Sequence, residues 1–270
     1  MLLLTCDFLG SQEVLLDRVQ IVSAELYSSI PYAHALIIGS DKGFVADENG
    51  VILIDNQMRR SSDTLLLQAI GYKSRKVPIA DIQSIVSMSE IGYALNEVVI
   101  NGSKTKIQVG GTKPRRHEIN WTGLEMLGTE IGTYINNAPF GKWISGVQFY
   151  IRRNRCDSIL FRLRLYEASA HSDAVRLLHQ EDITFQIGQE KGWIKVPIEE
   201  YGLKTPKSPI LVTVEALELW GDFGDKPPFS VTYDKVVEGF GTFRQYSSEK
   251  WAGNYAFKGR GLSFYLELLD

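Results

Sequence analysis

Two loops of this 270-residue chain set large rings beside small polar groups. One is Trp220-Gly-Asp222-Phe223, the other Trp251-Ala-Gly-Asn254-Tyr255. A sugar presents an apolar C–H face that stacks on Trp or Tyr, while Asn and Asp take its hydroxyls. Trp220, Asp222, Phe223, Trp251, Asn254 and Tyr255 are therefore the candidate ligand contacts. The same rings could instead cap the ends of a core, and that alternative stays open. Asp222 and Asp225 lie in a Gly-rich loop that could hold a structural calcium ion. No other cofactor is expected.

Catalytic residue types are scarce. The histidines are His34, His117, His171 and His179, and neither H-E-x-x-H nor G-x-S-x-G occurs. A hairpin could pair His171 with His179 on a metal, but structural or surface histidine is the expectation. Cys6 and Cys156 make neither a disulfide framework nor a zinc spacing. Glycoside hydrolysis needs two carboxyl groups about 5–10 Å apart. Glu215 and Glu218 fall on opposite faces if their strand is regular. Asp47-Glu-Asn-Gly50 resembles the start of a calcium loop without its distal Glu, and reads as a turn. The expectation is a binding protein, not an enzyme.

A net charge of −3 excludes a protein built mainly to neutralise a nucleic-acid backbone. The basic runs Arg115-Arg116-His117 and Arg152-Arg153-Asn154-Arg155 read as solvated loops. No run reaches the roughly 18 apolar residues of a transmembrane helix. Leu3-Leu4-Thr5-Cys6 is similar to a lipoprotein cleavage site, although Thr5 stands where a smaller residue is usual. A signal remnant and a native chain end both remain open.

Those loops need a scaffold, and period-2 alternation supplies it. In Ser158-Ile-Leu-Phe-Arg-Leu-Arg-Leu-Tyr166, Ile159, Phe161, Leu163 and Leu165 share one face, and Arg162 and Arg164 point to the other. Val212, Val214 and Ala216 alternate with Thr213 and Glu215. Leu262 to Leu268 forms a closing strand. Asn101-Gly102 reads as a type I′ hairpin turn between Glu97–Ile100 and Lys104–Val109. One short helix is predicted over Thr122 to Ile131. Trp193, within a strand-like run, is expected in the core. The Gly-Gly, Lys-Pro and basic residues of 111–122 mark a linker. The expected organisation is a β-sandwich over 16–110, that linker, and a second sandwich over 123–270.

The order of motifs in the first half adds identity. Pro31-Tyr-Ala-His-Ala35, Gly43-Phe-Val-Ala-Asp47, Asn49-Gly50-Val-Ile-Leu-Ile54, Leu65 to Tyr72 and Leu95-Asn-Glu-Val-Val99 occur in sequence. This half resembles the carboxypeptidase-regulatory-like domain, a seven-stranded transthyretin-like, immunoglobulin-like sandwich. Ala46, Gln68 and Val51-Ile52 depart from its usual pattern. The resemblance implies a periplasmic or cell-surface protein of a Gram-negative bacterium and carries no catalytic residue with it. The second half is similar in strand rhythm to jelly-roll carbohydrate-binding modules. The chain is thus expected to be all-β and non-catalytic, an envelope adaptor with a glycan or an envelope protein as partner. An assembly protein and an unrecognised hydrolase in the jelly roll are the alternatives.

Overall fold

The computed structural model describes residues 16–40, 42–55, 62–92, 105–110, 117–121, 126–168, 175–235, 241–246, 251 and 260–269. The fold is all-β, and the described helical segments are single 3-10 turns. No helix among the described residues is long and apolar enough to cross a membrane.

Among the described residues, seven short strands form the first body. They are β1 (Leu16–Ser23), β2 (His34–Ile37), β3 (Gly43–Val45), β4 (Val51–Asp55), β5 (Thr64–Gln68), β6 (Arg75–Pro78) and β7 (Ile85–Met88). One sheet runs β4-β1-β7 and the other β3-β2-β5-β6. Alternation decides what they bury. Val19 and Ile21 on β1 meet Ile52 and Ile54 on β4, Leu65 and Leu67 on β5, and Met88 on β7. Each such side chain contributes about 1.5–3 kcal/mol by leaving water.

The β3–β4 turn follows from Asp47 and Gly50. Asp47 Oδ1 accepts the N–H groups of Asn49, at 2.9 Å, and Val51, at 2.8 Å. Gly50 has φ +71°, and a Cβ there would stand 2.7 Å from the Ile21 carbonyl oxygen. Only glycine meets both conditions at low cost.

Among the described residues, the second body has thirteen strands in two facing sheets. They are β8 (Lys106–Gly110), β9 (Glu118–Trp121), β10 (Thr129–Ile135), β11 (Trp143–Asn154), β12 (Ser158–Ala168), β13 (Val175–Leu177) and β14 (Ile183–Ile187). The rest are β15 (Gly192–Pro197), β16 (Ile210–Trp220), β17 (Phe229–Lys235), β18 (Gly241–Gln245), β19 (Arg260–Leu262) and β20 (Phe264–Leu269). One sheet runs β13-β12-β16-β10-β18, with β14 also on β12. The other runs β19-β17-β11-β20-β8, with β15 on β11 and β9 on β17. Between them, Phe149 meets Phe161 edge-on at 5.5 Å and stacks on Phe264 at 5.8 Å, while Trp121 stacks on Phe229 at 4.6 Å.

Several expectations change. Residues 106–110 pair with β20 and belong to the second body, so the expected boundary after 110 moves ahead of β8. Local turn chemistry had assigned that strand to the nearest upstream partner, whereas its described partner lies at the far end of the chain. The Asn101-Gly102 turn and Leu95–Val99 lie outside the described residues. Thr129–Ile131, expected in a helix, opens β10, where all seven residues are buried in the middle of a sheet. Of the rest of that helix, 126–128 form a turn and 122–125 lie outside the described residues. Trp193 is 37% exposed, on the outer face of its sheet against Tyr150 and Tyr265. Trp193 shares its face with Lys195, opposite buried Ile194 and Val196.

Candidate functional site

The outer face of the β12-β16-β10-β18 sheet carries charge and is nonetheless sealed. Arg162 and Arg164 leave the core side as alternation requires, yet they are only 3% and 5% exposed. The first body covers them. Arg162 donates to the Tyr32 carbonyl at 3.0 Å, and His34 Nε2 lies 2.6 Å from Glu215 Oε1. Arg164 donates to Glu215 at 2.8 Å and to Glu130 at 2.9 Å. Arg244 donates to Glu130 at 2.9 Å, and Asp182 binds Arg162 through both carboxylate oxygens.

This network holds its carboxylates ionised. Burial pushes Glu130 up, but Arg244 and Arg164 outweigh it and bring the group down to about 2. Burial also opposes ionisation of Glu215, where the hydrogen bond from His34 and the charges of Arg164 and Arg162 prevail and hold it well below the usual carboxylate range. Desolvation is the largest influence on His34, and it keeps the imidazole below its ordinary value. A neutral ring donates Nε2–H to Glu215. Three guanidinium groups then balance three carboxylates, the arrangement a buried cluster requires.

One strained ring closes the seam. Tyr246 adopts φ +48°, and its N–H donates to the Gly128 carbonyl at 2.7 Å. A Cβ on Gly43 of the first body would stand 2.7 Å from this ring, and one on Gly128 of the second 2.5 Å. Both glycines give the ring room to wedge between the bodies.

Beside the seam opens a cleft of about 690 Å³. The first body contributes Arg18, Phe44 and the Asp47–Asn49 turn, and the second contributes Leu217, Glu218 and Trp220. A bulge explains the second set. Leu160 pairs with Glu218 and Phe161 with Ala216, so Leu217 is the extra residue. The slip returns Glu218 to the face of Glu215, correcting the expectation that the two acids oppose each other. Glu218 accepts a hydrogen bond from the Tyr32 hydroxyl; burial first, and then this carboxylate, raise that phenol far above its usual range. The Tyr32 N–H donates to the Asp47 carbonyl at 3.2 Å, which ties the turn to the cleft wall.

Trp220, 41% exposed, gives the cleft an indole surface. Arg18, Glu48 and Asn49 are exposed around it, and Glu218 is half-buried. Stacking area and hydrogen-bonding groups of both signs therefore converge.

The other expected contacts separate from Trp220. Trp251 is 5% exposed, lies edge-on to Tyr166 at 5.8 Å, and carries the Arg244 guanidinium 4.2 Å over its ring. Tyr166 pairs with Leu211 at the opposite end of β16 from Trp220, about 30 Å away at roughly 3.3 Å per residue. The two aromatic loops thus form no common face, because the strand between them is too long. Phe223 packs against the second core. Asp222 caps its own loop by accepting the Gly224 N–H at 3.1 Å, and Asp225 is exposed. Asn254 and Tyr255 lie outside the described residues.

The remaining chemistry is accounted for by structure. His179 Nε2 accepts the Leu165 N–H at 3.2 Å and its Nδ1–H donates to the Glu181 carbonyl at 2.7 Å, so it has no lone pair to offer a metal. His171, which a hairpin could pair with it, lies outside the described residues. Among the described residues no group of three or more His, Cys, Asp or Glu is placed to hold a metal. His117 stacks on Tyr233 at 5.6 Å. Cys156 is a free, buried thiol, and Cys6 lies outside the described residues. The first-body side of the cleft was missed because no motif marks it. The signal available was Asp47 to Asn49, a polar turn directly after the strand that follows His34.

Compared with known proteins, the chain matches no family model and no curated protein. Among solved structures it is similar to the clostridial cysteine protease Cwp84 after propeptide cleavage. That likeness spans 94% of this chain and 70% of the other, at 10% identity and a TM-score of 0.41. At such distance no activity transfers.

Proposed function

We propose that this is a non-catalytic glycan-binding protein of a Gram-negative envelope, and that the cleft between its two bodies is the binding site. One observation carries the reading. An exposed indole, Trp220, lies in a cleft of about 690 Å³ with Arg18, Glu48, Asn49 and Glu218 around it. An apolar plate ringed by donors and acceptors matches the two surfaces of a sugar. The acid and base candidates support a role without chemistry. Glu130 and Glu215 are fully buried in ion pairs, His34 and His179 are buried and hydrogen-bonded, and burial raises the Cys156 thiol to about 11.

The test is a polysaccharide and glycan array probed with the whole chain. Trp220→Ala is expected to abolish binding, while Trp193→Ala, on the outer face of the opposite sheet, retains it. Binding that survives Trp220→Ala, or no binding by folded protein, overturns the reading.

A second reading, an assembly protein, is favoured by one feature. Leu26 and Tyr27 are 70% and 81% exposed on a turn held by Ser23, whose hydroxyl accepts the N–H groups of Glu25 and Leu26. An ordered turn carrying two apolar side chains into water suits an envelope protein partner. Loss of a co-purifying partner in Leu26→Ser, Tyr27→Ser protein tests it.

A further inference from the structure

We propose that the buried His34–Glu215 contact is a pH-operated latch between the two bodies, so that acid loosens their docking and dismantles the cleft. The second half of this statement rests on the cleft being the binding site; the first half does not.

His34 belongs to β2 of the first body, and Glu215 to β16 of the second. Glu215, Arg162 and Arg164, the charged groups described around the ring, belong to the second body. From β16, Glu215 faces it at 2.6 Å. From β12, Arg162 Nη1 lies 3.4 Å from Nε2, with Arg164 behind it on the same carboxylate. Asp182, ahead of β14, neutralises Arg162. Glu130 on β10 and Arg244 on β18 continue the chain of pairs through Arg164. Tyr246 stands edge-on at 6.4 Å, and on the first-body side Tyr32 supplies the carbonyl that Arg162 grips.

The cluster balances only while the imidazole is neutral. A proton on His34 would add a fourth positive charge beside Arg162, with no water to solvate it. The carboxylate it would face is already shared by two guanidinium groups. Undocking exposes the ring to solvent, where an imidazole takes its proton near 6.5. Acid therefore favours the undocked state. One proton linked to opening weakens docking by up to about tenfold per pH unit below 6.5, until the ring protonates in place. The loss depends on a single residue, so it is separable from general acid unfolding.

Thiol exchange in the whole chain measures the opening even when it is rare. Leu217 is 2% exposed and lines the cleft, so Leu217→Cys, in a Cys6→Ser background, places a probe at the seam. Cys156, sealed in the second core, reports global unfolding. Labelling by a dipyridyl disulfide is followed between pH 7.5 and 5 and corrected by the rate of a free thiol. The corrected rate at the introduced thiol is expected to rise up to about tenfold per pH unit below 6.5 while Cys156 stays protected. His34→Gln, which keeps a donor to Glu215 but takes no proton, is expected to flatten the profile. A flat profile with His34 present overturns the latch, as does an equal slope with His34→Gln. If that variant does not fold, the His34 profile alone decides. No ligand enters the assay, so a failed glycan array leaves the latch standing, and a flat profile leaves the cleft standing.

Discussion

Arg164 and Glu130 face each other at 2.9 Å across two strands of one sheet, and both are buried on the side away from the hydrophobic core. Charge is thus enclosed in the molecule outside its oily centre, where Arg244 supplies the second counterion. A carboxylate shared by two guanidinium groups cannot be removed alone without leaving charge in a dry place.

Glu130→Gln is accordingly expected to cost about 3–5 kcal/mol, since it strands parts of two guanidinium groups. Glu118→Gln, which loosens partly exposed Arg152 and Arg153, is expected to cost about 1 kcal/mol or less. Chemical denaturation of the two variants checks the contrast. Similar losses would mean that the buried cluster adds nothing beyond a surface pair.

Acid should destabilise the second body through His179. Its pKa is lowered to about 4, chiefly by burial. A histidine depressed in the folded state favours unfolding as pH falls, because the unfolded chain takes the proton first. Stability from this residue is complete above 6.5 and is lost as pH drops toward 4. At pH 5 the loss is on the order of 2 kcal/mol. His179→Gln should flatten thermal stability over that window. Glu130 adds a later loss, with its contribution present above about 4.5 and vanishing as pH falls through about 2.

Gly43→Ala should weaken the joint between the bodies while leaving both cores packed. The new methyl would meet the Tyr246 ring at 2.7 Å and the Ala35 carbonyl at 2.9 Å. Overpacking of this kind costs about 1–3 kcal/mol. Faster proteolysis at the seam with unchanged far-ultraviolet dichroism is the expected result. Unchanged proteolysis would mean that the ring shifts freely.

Cys156 should resist thiol reagents at pH 8 in a Cys6→Ser background. It is buried, and desolvation, with Asp157 beside it, lifts the thiol to about 11. Full labelling is expected only in denaturant. Rapid labelling of native protein would show that the second core opens readily.

The strands were the legible part of this molecule. Alternation placed β12, β16 and β20 and sorted their inward faces correctly, because burial between two sheets writes a period of two. The Asp47–Gly50 turn was legible for the same kind of reason, being local chemistry. Trp220 was read as a ligand contact and lines the cleft. Trp251, with the same local composition, is a buried support for Arg244, since composition carries no distance. The fate of Arg162, Arg164 and Glu215 was hidden because they alternate like any solvated face. What covers them is His34 and Tyr32, more than a hundred residues away in sequence. The bulge at Leu217 was hidden too, because it arises from pairing with Leu160 and leaves no mark in its own strand.

The pairing of β8 with β20 bears on how the chain is made. The last described strand of the first body ends at Met88, so that body can close early in synthesis. In the second, β20 lies between β11 and β8, so that sheet stays split until residue 269 has left the ribosome. Until then, β11 and β8 present unpaired edges, and Phe149 lacks the ring it stacks on. Long-range closure of this kind is slow, and open strand edges invite other chains. The nascent protein therefore carries its first body beside an open half-sheet, whose β11 edge is free to pair with other chains until β20 arrives.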